Sequence, residues 1–243
     1  MHKRPTILAA AAERRSPLAF SPFKDVPCHY QATAKGNRGT MELYGIIGAD
    51  WFGDGITSKM VSDSLKAMGS VSTIEVSINS PGGDVFEGRG IYNLLKQHTA
   101  RVEVRVIAEA ASAASLIAMA GDEITMSEGA LMMIHRASGL AYGNVDDVKA
   151  LLKLLETVDE TMVSTYAARS GNTEAKVRGW LDAETWMTAD EAVLRGFADK
   201  SEEPAKIAAL SVDRKLLGYR QIPAALRPNR ARALRRIAGG AAA

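Results

Sequence analysis

Ser112 stands where the alternating apolar run Val102, Val104, Val106 gives way to a stretch of small residues, Ser112 to Ala120. The pattern reads as a strand that turns through residues 108–111 into a helix. A serine at such a junction holds its hydroxyl beside the unpaired N–H groups of the helix start, where developing negative charge is stabilised. That placement suits a nucleophile; the plainer reading is a helix N-cap. A serine hydroxyl near neutral pH needs a base within hydrogen-bond reach. Of the four histidines, His2 and His29 lie in a proline-containing arm and His98 closes a surface helix. His135 ends the apolar strand pattern Leu131-Met-Met-Ile134 and is the candidate base, against the plainer reading of a satisfied core histidine. Ser115, one helical turn beyond Ser112, is a fallback nucleophile better explained as a small residue filling space between helix and strand.

Two further blocks bear on this pair. Residues 74–79 read as a strand and run into Ser80-Pro-Gly-Gly-Asp84, after which an amphipathic helix begins. Glycine suits a main chain that must face a substrate, because a Cβ there would obstruct it; otherwise Gly82-Gly83 is an ordinary turn. Downstream, Glu184-Thr-Trp-Met-Thr-Ala-Asp-Glu-Ala-Val193 carries a capping box at Thr188-Ala-Asp-Glu191.

Taken in order, Asn79-Ser-Pro-Gly-Gly83, Glu109-Ala-Ala-Ser112, Met133-Ile-His135 and the Glu184–Val193 block resemble the proteolytic subunit of the Clp protease over residues 41–199. Within that superfamily the chain looks most like the Clp-related head-maturation proteases of tailed phages. The resemblance implies an α/β fold of the ClpP/crotonase type: repeated β-β-α units, a largely parallel sheet and a long protruding handle helix. It implies a serine endopeptidase with Ser112 as nucleophile, His135 as base and Glu184 as the third member. The family has aspartate at that last position. Asp182 is the neighbouring alternative, and an exposed salt bridge is the plainer reading for both acids. Gly83 N–H and Ala113 N–H correspond to the oxyanion hole. Gly139, Leu140, Ala141 and Tyr142 correspond to the segment that pairs with an extended or unfolded polypeptide as an added strand. No metal or organic cofactor is implied. The implied partners are further copies of the chain, in heptamers or stacked heptamers, and phage capsid, scaffold or portal proteins.

Departures from the housekeeping subunit bear on partnership. The family's flanking arginines are replaced by Ala183 and Thr185, and Arg136 and Ala137 follow the histidine where a proline is usual. The first forty residues do not look like loops that engage an AAA+ unfoldase, so that partner is left open. A crotonase-type acyl-CoA enzyme would share the fold and an amide oxyanion hole but has no need of Ser112 with His135. A non-catalytic ring protein is a third reading. The lysine base of related signal peptide peptidases has only Lys149 or Lys153 as poorly placed candidates.

Composition sets the frame. A chain of 243 residues, 47% hydrophobic, can bury one substantial core. No apolar run reaches the roughly 18–20 residues needed to span a bilayer, and Ile7–Ala12 is too short and too soon followed by charge for a signal peptide. A single cysteine, Cys28, excludes an internal disulfide framework, and nothing in the Cys/His spacing suggests structural zinc. A cytoplasmic protein without membrane contact is expected. Net charge divides the chain into three: a basic irregular arm over 1–40 (+5), an acidic body over 41–199 (−10) and a basic tail over 200–243 (+7). Five arginines fall within residues 227–236, but without interleaved aromatics or a recognised module they read as a solvated tail rather than a nucleic-acid contact.

The elements expected to position the site follow from periodicity. Strands are expected at 42–48, 73–79, 102–108, 123–126 and 131–134, and helices from Thr57 or Ser58 to Met68 and over 85–97. A loop is expected over 136–143, a turn over 51–55, and a further short helix over 210–217. From Val145 to about Ser170, apolar residues at three and four (Val148, Leu151, Leu152, Leu155, Val158, Met162, Tyr166) and no internal Gly or Pro give one long helix. At about 40 Å it exceeds what a small core can cover, so its exposed end should pack on another subunit.

Overall fold

The computed structural model describes residues 28–48, 55–202 and 219–223. Two strands, β1 (His29–Lys35) and β2 (Arg38–Tyr44), pair antiparallel across a two-residue loop. Gly36 takes φ 59° at the first loop position, the backbone that only glycine supplies cheaply. This hairpin corrects the expectation of an irregular arm up to residue 40, and it moves the first core strand upstream of 42–48.

The parallel part follows the strand–helix rhythm of the sequence. Helix α1 (Ser58–Met68) is capped by the Thr57 side chain, which accepts from Met60 N–H, and it buries Val61, Leu65 and Met68. Strand β3 (Thr73–Ser80) leads through the Gly-Gly turn into α2 (Val85–Lys96), whose first turn is capped by Asp84. Strand β4 (Arg101–Ala111) leads into the short helix α3 (Ala113–Ala118). Next come β5 (Glu123–Ser127), β6 (Leu131–Ile134), the 26-residue α4 (Val145–Ser170), α5 (Glu174–Asp182), β7 (Thr185–Thr188), α6 (Ala189–Leu194) and β8 (Lys200–Glu202). The order across the sheet is β1-β2-β3-β4-β5-β8, parallel from β2 onward. This is the expected α/β architecture, with a mostly parallel sheet and one long helix.

Alternation within the strands sorts the two faces. Val76, Ile78, Val102, Val104, Val106, Ile124 and Met126 are buried in the core with residues of α1, α2 and α3. The opposite face carries a ladder of ions across strands: Arg38 bridges Glu75 and Glu103, Arg101 and Lys200 both reach Glu123, and Arg105 reaches Glu202. A parallel sheet is usually covered on both faces, so its near-continuous apolar runs give way here to clean alternation. The ladder is exposed and contributes little net stability pair by pair.

Strand β4 is the element that organises the site. Its first half pairs with β5, Val104 opposite Ile124, and its last three residues leave β5 and pair with β6, Ala111 opposite Met133. The 108–111 segment is therefore strand up to the serine rather than a turn. Strand β6 in turn pairs antiparallel with β7, Ile134 opposite Thr185. Three neighbouring strands thus bring Ser112, His135 and Glu184 to one corner of the sheet, each one residue beyond a paired position.

Helix α4 starts on Asn144 with a full capping box, Asp147 returning the bond, and stops at Gly171 in the left-handed conformation. Its second half buries Val158, Met162, Val163 and Tyr166, while Val145, Val148 and Leu152 in its first half are exposed. The exposed free end matches the expectation. No helix among the described residues is long and apolar enough to cross a membrane. The turn expected at 51–55 falls largely, and the helix at 210–217 and the arginine-rich run wholly, outside the described residues.

Candidate active site

Ser112 occupies a sharp strand-to-helix elbow. Its backbone sits at φ 53°, ψ −123°, a region that non-glycine residues rarely enter, and its side chain makes no capping bond to α3. The N-cap reading is therefore set aside. The elbow is held by Ser112 N–H donating to Met133 O at 2.9 Å, a link that ties β4 to the strand carrying the histidine. Backbone strain of this kind costs on the order of 1–3 kcal/mol and persists only where the surroundings over-determine it. What it achieves here is to turn the hydroxyl out of the helix and toward His135: Ser112 Oγ lies 2.8 Å from His135 Nε2.

His135 is 8% exposed. Burial lowers its pKa from 6.5 to about 4; the Glu184 charge pulls back upward and the Arg220 charge pushes further down. A neutral imidazole with Nε2 facing a hydroxyl is the form a general base requires. The same shift carries a stability consequence. An unfolded chain protonates this histidine near pH 6.5 and the folded one only near 4, so stability should fall as pH drops through that window. The loss should approach about 3 kcal/mol. Urea titrations at pH 7 and pH 4.5 should show it, and His135→Asn should flatten the difference.

Glu184 is 2% exposed and sits at φ 49°, the only other described non-glycine residue with a left-handed backbone. It is near enough to act on His135 through charge, yet among the described residues no hydrogen bond joins the two. Its carboxylate accepts instead from Arg220 N–H at 2.7 and 2.8 Å and from Gln221 N–H at 2.5 Å, with the Arg220 guanidinium 3.8 Å away. Asp182, the alternative, is exposed and binds Arg136 at 2.5 Å. The geometry thus brings Glu184 to the histidine and leaves Asp182 in a surface ion pair, whose arginine also approaches Asp159 on α4.

The Gly-Gly turn lies against the elbow. A Cβ on Gly82 would stand 2.8 Å from Ser112 Cβ and 3.1 Å from Ala113 N, and one on Gly83 would overlap the Ile47 carbonyl oxygen. Both glycines have positive φ, 92° and 147°. Ile47 N–H donates to Gly82 O and Asp84 N–H to Ile47 O, which pins the turn from both sides. Neither Gly83 N–H nor Ala113 N–H has a protein acceptor among the described residues. The two amides that correspond by resemblance to an oxyanion hole are thus both without a protein acceptor among the described residues.

Ser115 is fully buried, donates to Ser112 O at 2.7 Å and meets Tyr166 Oη at 2.9 Å. Burial raises the Tyr166 pKa to about 12. Ser115 is a structural pin rather than a second nucleophile. Ser115→Ala should leave covalent labelling of Ser112 intact while lowering stability by about 1–3 kcal/mol, the cost of a buried phenol without its partner, read by thermal melting. Residues 139–142 run as an irregular exposed segment before α4, with Leu140 and Tyr142 side chains open to solvent and Gly139 against Leu151. Among the described residues no cluster of His, Cys, Asp and Glu could hold a metal ion.

Sequence reasoning missed the segment 219–223. Tyr219 packs edge-on against the His135 ring, centroids 5.0 Å apart, and donates its hydroxyl to Pro81 O. Tyr219 and Ile222 are buried with Ala111 and Met133, against Trp186. Five residues in a proline-containing tail carry no periodic signal that could have announced such docking.

The Clp protease family model matches residues 49–203. The ATP-dependent Clp protease proteolytic subunit of Bacteroides fragilis is 31% identical over 152 residues, 60% of this chain and 73% of its own length. The subunit of the same name from Bacteroides thetaiotaomicron is 30% identical, over 60% of this chain and 69% of its own. Among solved structures, an asparagine-to-aspartate mutant of ClpP1 from Listeria monocytogenes superposes with a TM-score of 0.59 at 24% identity, covering 68% of this chain and 91% of that one, a likeness of fold. With a family match over more than half its length and a fold that agrees, the chain belongs to the Clp protease family and is a serine peptidase.

Proposed function

We propose that the chain is an endopeptidase that cleaves extended polypeptide through an acyl-enzyme on Ser112. The observation that supports this most directly is the 2.8 Å bond between Ser112 Oγ and His135 Nε2 at a strained elbow flanked by two unpaired amides. Ser112 Oγ attacks the scissile carbonyl carbon as its proton passes to His135 Nε2. The oxyanion so formed accepts from Gly83 N–H and Ala113 N–H, and the Glu184 carboxylate offsets the imidazolium charge. The C–N bond then breaks as His135 returns the proton to the leaving amine. Water, deprotonated by the same nitrogen, hydrolyses the ester and frees Ser112. The main chain of Gly139–Tyr142 offers a substrate an edge on which to lie as an added strand, favouring unfolded segments over sequence-specific sites. The apolar first half of α4, with Val145, Val148 and Leu152 exposed, supports a homo-oligomeric ring.

The setting we infer is processing of phage capsid or scaffold precursors. Support comes from the likeness of the four sequence blocks to Clp-related head-maturation proteases and from a first forty residues unlike loops that engage an unfoldase. The names of the Bacteroides relatives favour a second reading, a proteolytic subunit served by an ATP-driven unfoldase. A fluorophosphonate probe should form an adduct on Ser112 that peptide mass mapping locates. Discrete cuts in a capsid or scaffold precursor without ATP would then support the first setting. An intact precursor, with digestion only beside an unfoldase and ATP, would support the second.

A further inference from the structure

Among the described residues, the segment Tyr219–Pro223 meets the turns and strands that carry Pro81, Ser112, His135 and Glu184. Its two N–H groups at Arg220 and Gln221 occupy the Glu184 carboxylate, and the Gln221 side-chain amide donates to Ala183 O at 2.7 Å on the same turn. Tyr219 lies on the histidine ring and holds the Pro81 carbonyl at the head of the oxyanion turn. Ile222 fills the cleft beside Met133 and Ala111, directly before Ser112. The segment joins no strand of the sheet, and Arg220 and Gln221 face solvent. It is a docked peptide, anchored by the buried Tyr219 and Ile222 between exposed residues.

We propose that Tyr219–Pro223 is a built-in inhibitory ligand, which docks on the acid side of the catalytic group and holds the peptidase in an attenuated state until it is displaced. The proposal rests on the assignment of Ser112, His135 and Glu184 given above.

Catalysis depends on what the carboxylate is free to do. To stabilise an imidazolium, Glu184 must offer an oxygen to His135 Nδ1–H. In this arrangement the Arg220 and Gln221 N–H groups already occupy both of its oxygens with a guanidinium nearby, and no bond reaches the ring among the described residues. Arg220 also places a positive charge where the imidazolium would form, and Tyr219 removes water that would otherwise solvate it. Each contact weakens the base in the transition state while leaving the resting Ser112–His135 bond intact. Because the segment belongs to the same chain, a modest intrinsic affinity suffices: tethering gives it an effective concentration in the millimolar range. Unfolded polypeptide in excess, or loss of the tail, would expose the site.

The test compares rates of fluorophosphonate labelling at Ser112 in full-length wild type, Ile222→Asp and Gln221→Pro, with folding checked by thermal melting. Ile222→Asp puts a charge into the apolar cleft; Gln221→Pro, at an exposed position, deletes the N–H donor to Glu184 and the side-chain donor to Ala183 O. Release of the segment should raise the labelling rate at least tenfold in Ile222→Asp and severalfold in Gln221→Pro. Equal or slower labelling in both folded variants would overturn the inhibitory role, slower labelling marking the segment as a support for Glu184. If Ile222→Asp fails to fold, Gln221→Pro alone decides in the same way. Should neither wild type nor variant label at Ser112, the assignment of the nucleophile fails, and the inhibitory role with it.

Discussion

Ser112→Ala should eliminate fluorophosphonate labelling and lower peptide hydrolysis by about 10⁴–10⁶-fold, with the fold unchanged. The magnitude follows from how the parts cooperate. Without the hydroxyl there is no acyl-enzyme and His135 can only assist water, so what remains is rate enhancement from the amides and binding. Stability should hold or rise, because Ser112 makes no side-chain bond to its helix and, among the described residues, its hydroxyl bonds only the histidine. His135→Ala should cost nearly as much alone, and the double variant little more than either single one, since the two residues act as a unit. Active-site titration and kcat/KM on an unfolded protein substrate are the measurements. A Ser112→Ala protein that labels as wild type does would end the assignment.

The second large effect is expected at Gly83. An alanine there meets two obstacles at once: φ 147° is open only to glycine, and the added methyl would overlap the Ile47 carbonyl oxygen. The turn must shift, and with it the N–H proposed to receive the oxyanion. Loss of one oxyanion donor costs about 10²–10³-fold in kcat. Gly83→Ala should therefore fall by at least that factor. Its KM should change far less, because the donor acts where charge develops. Gly82→Ala should fail in a different manner, because its Cβ would press on Ser112 itself and displace the hydroxyl from His135. Labelling by the probe should drop in both, and a Gly83→Ala enzyme with normal kcat would remove that amide from the mechanism.

Most of the site could be read in the chain because each block is locally coded. The Gly-Gly turn announces itself by residue type, Ser112 by the change from alternating valines to alanines, and His135 by a polar residue closing an apolar run. The capping boxes at Asn144 and Thr188 and the left-handed stop at Gly171 likewise lie within a few residues of what they begin or terminate. What escaped depends on distant partners. Ala108 to Ala111 have no strand preference, and it is pairing with β3 and β6 that keeps them extended up to the serine. Strand β1 has only Tyr30 and Ala32 to set against the core, a pattern too thin to stand out after four prolines. Glu184 could be placed only by resemblance, since the register that puts it beside His135 is a property of β6 and β7 together. The docking of Tyr219 and Ile222 belongs to the same class.

The two described side-chain-bearing residues with left-handed φ are Ser112 and Glu184, the proposed nucleophile and its proposed acid. Elsewhere among the described residues the chain uses glycine for that conformation. At Ser112 a glycine would relieve the backbone at the loss of the hydroxyl alone, whereas removing the buried Glu184 carboxylate would leave the Arg220 and Gln221 donors unpaired. Durability and turnover therefore pull in opposite directions at the elbow, so a hardened variant obtained by screening for heat resistance should be expected to have lost the Ser112 hydroxyl first.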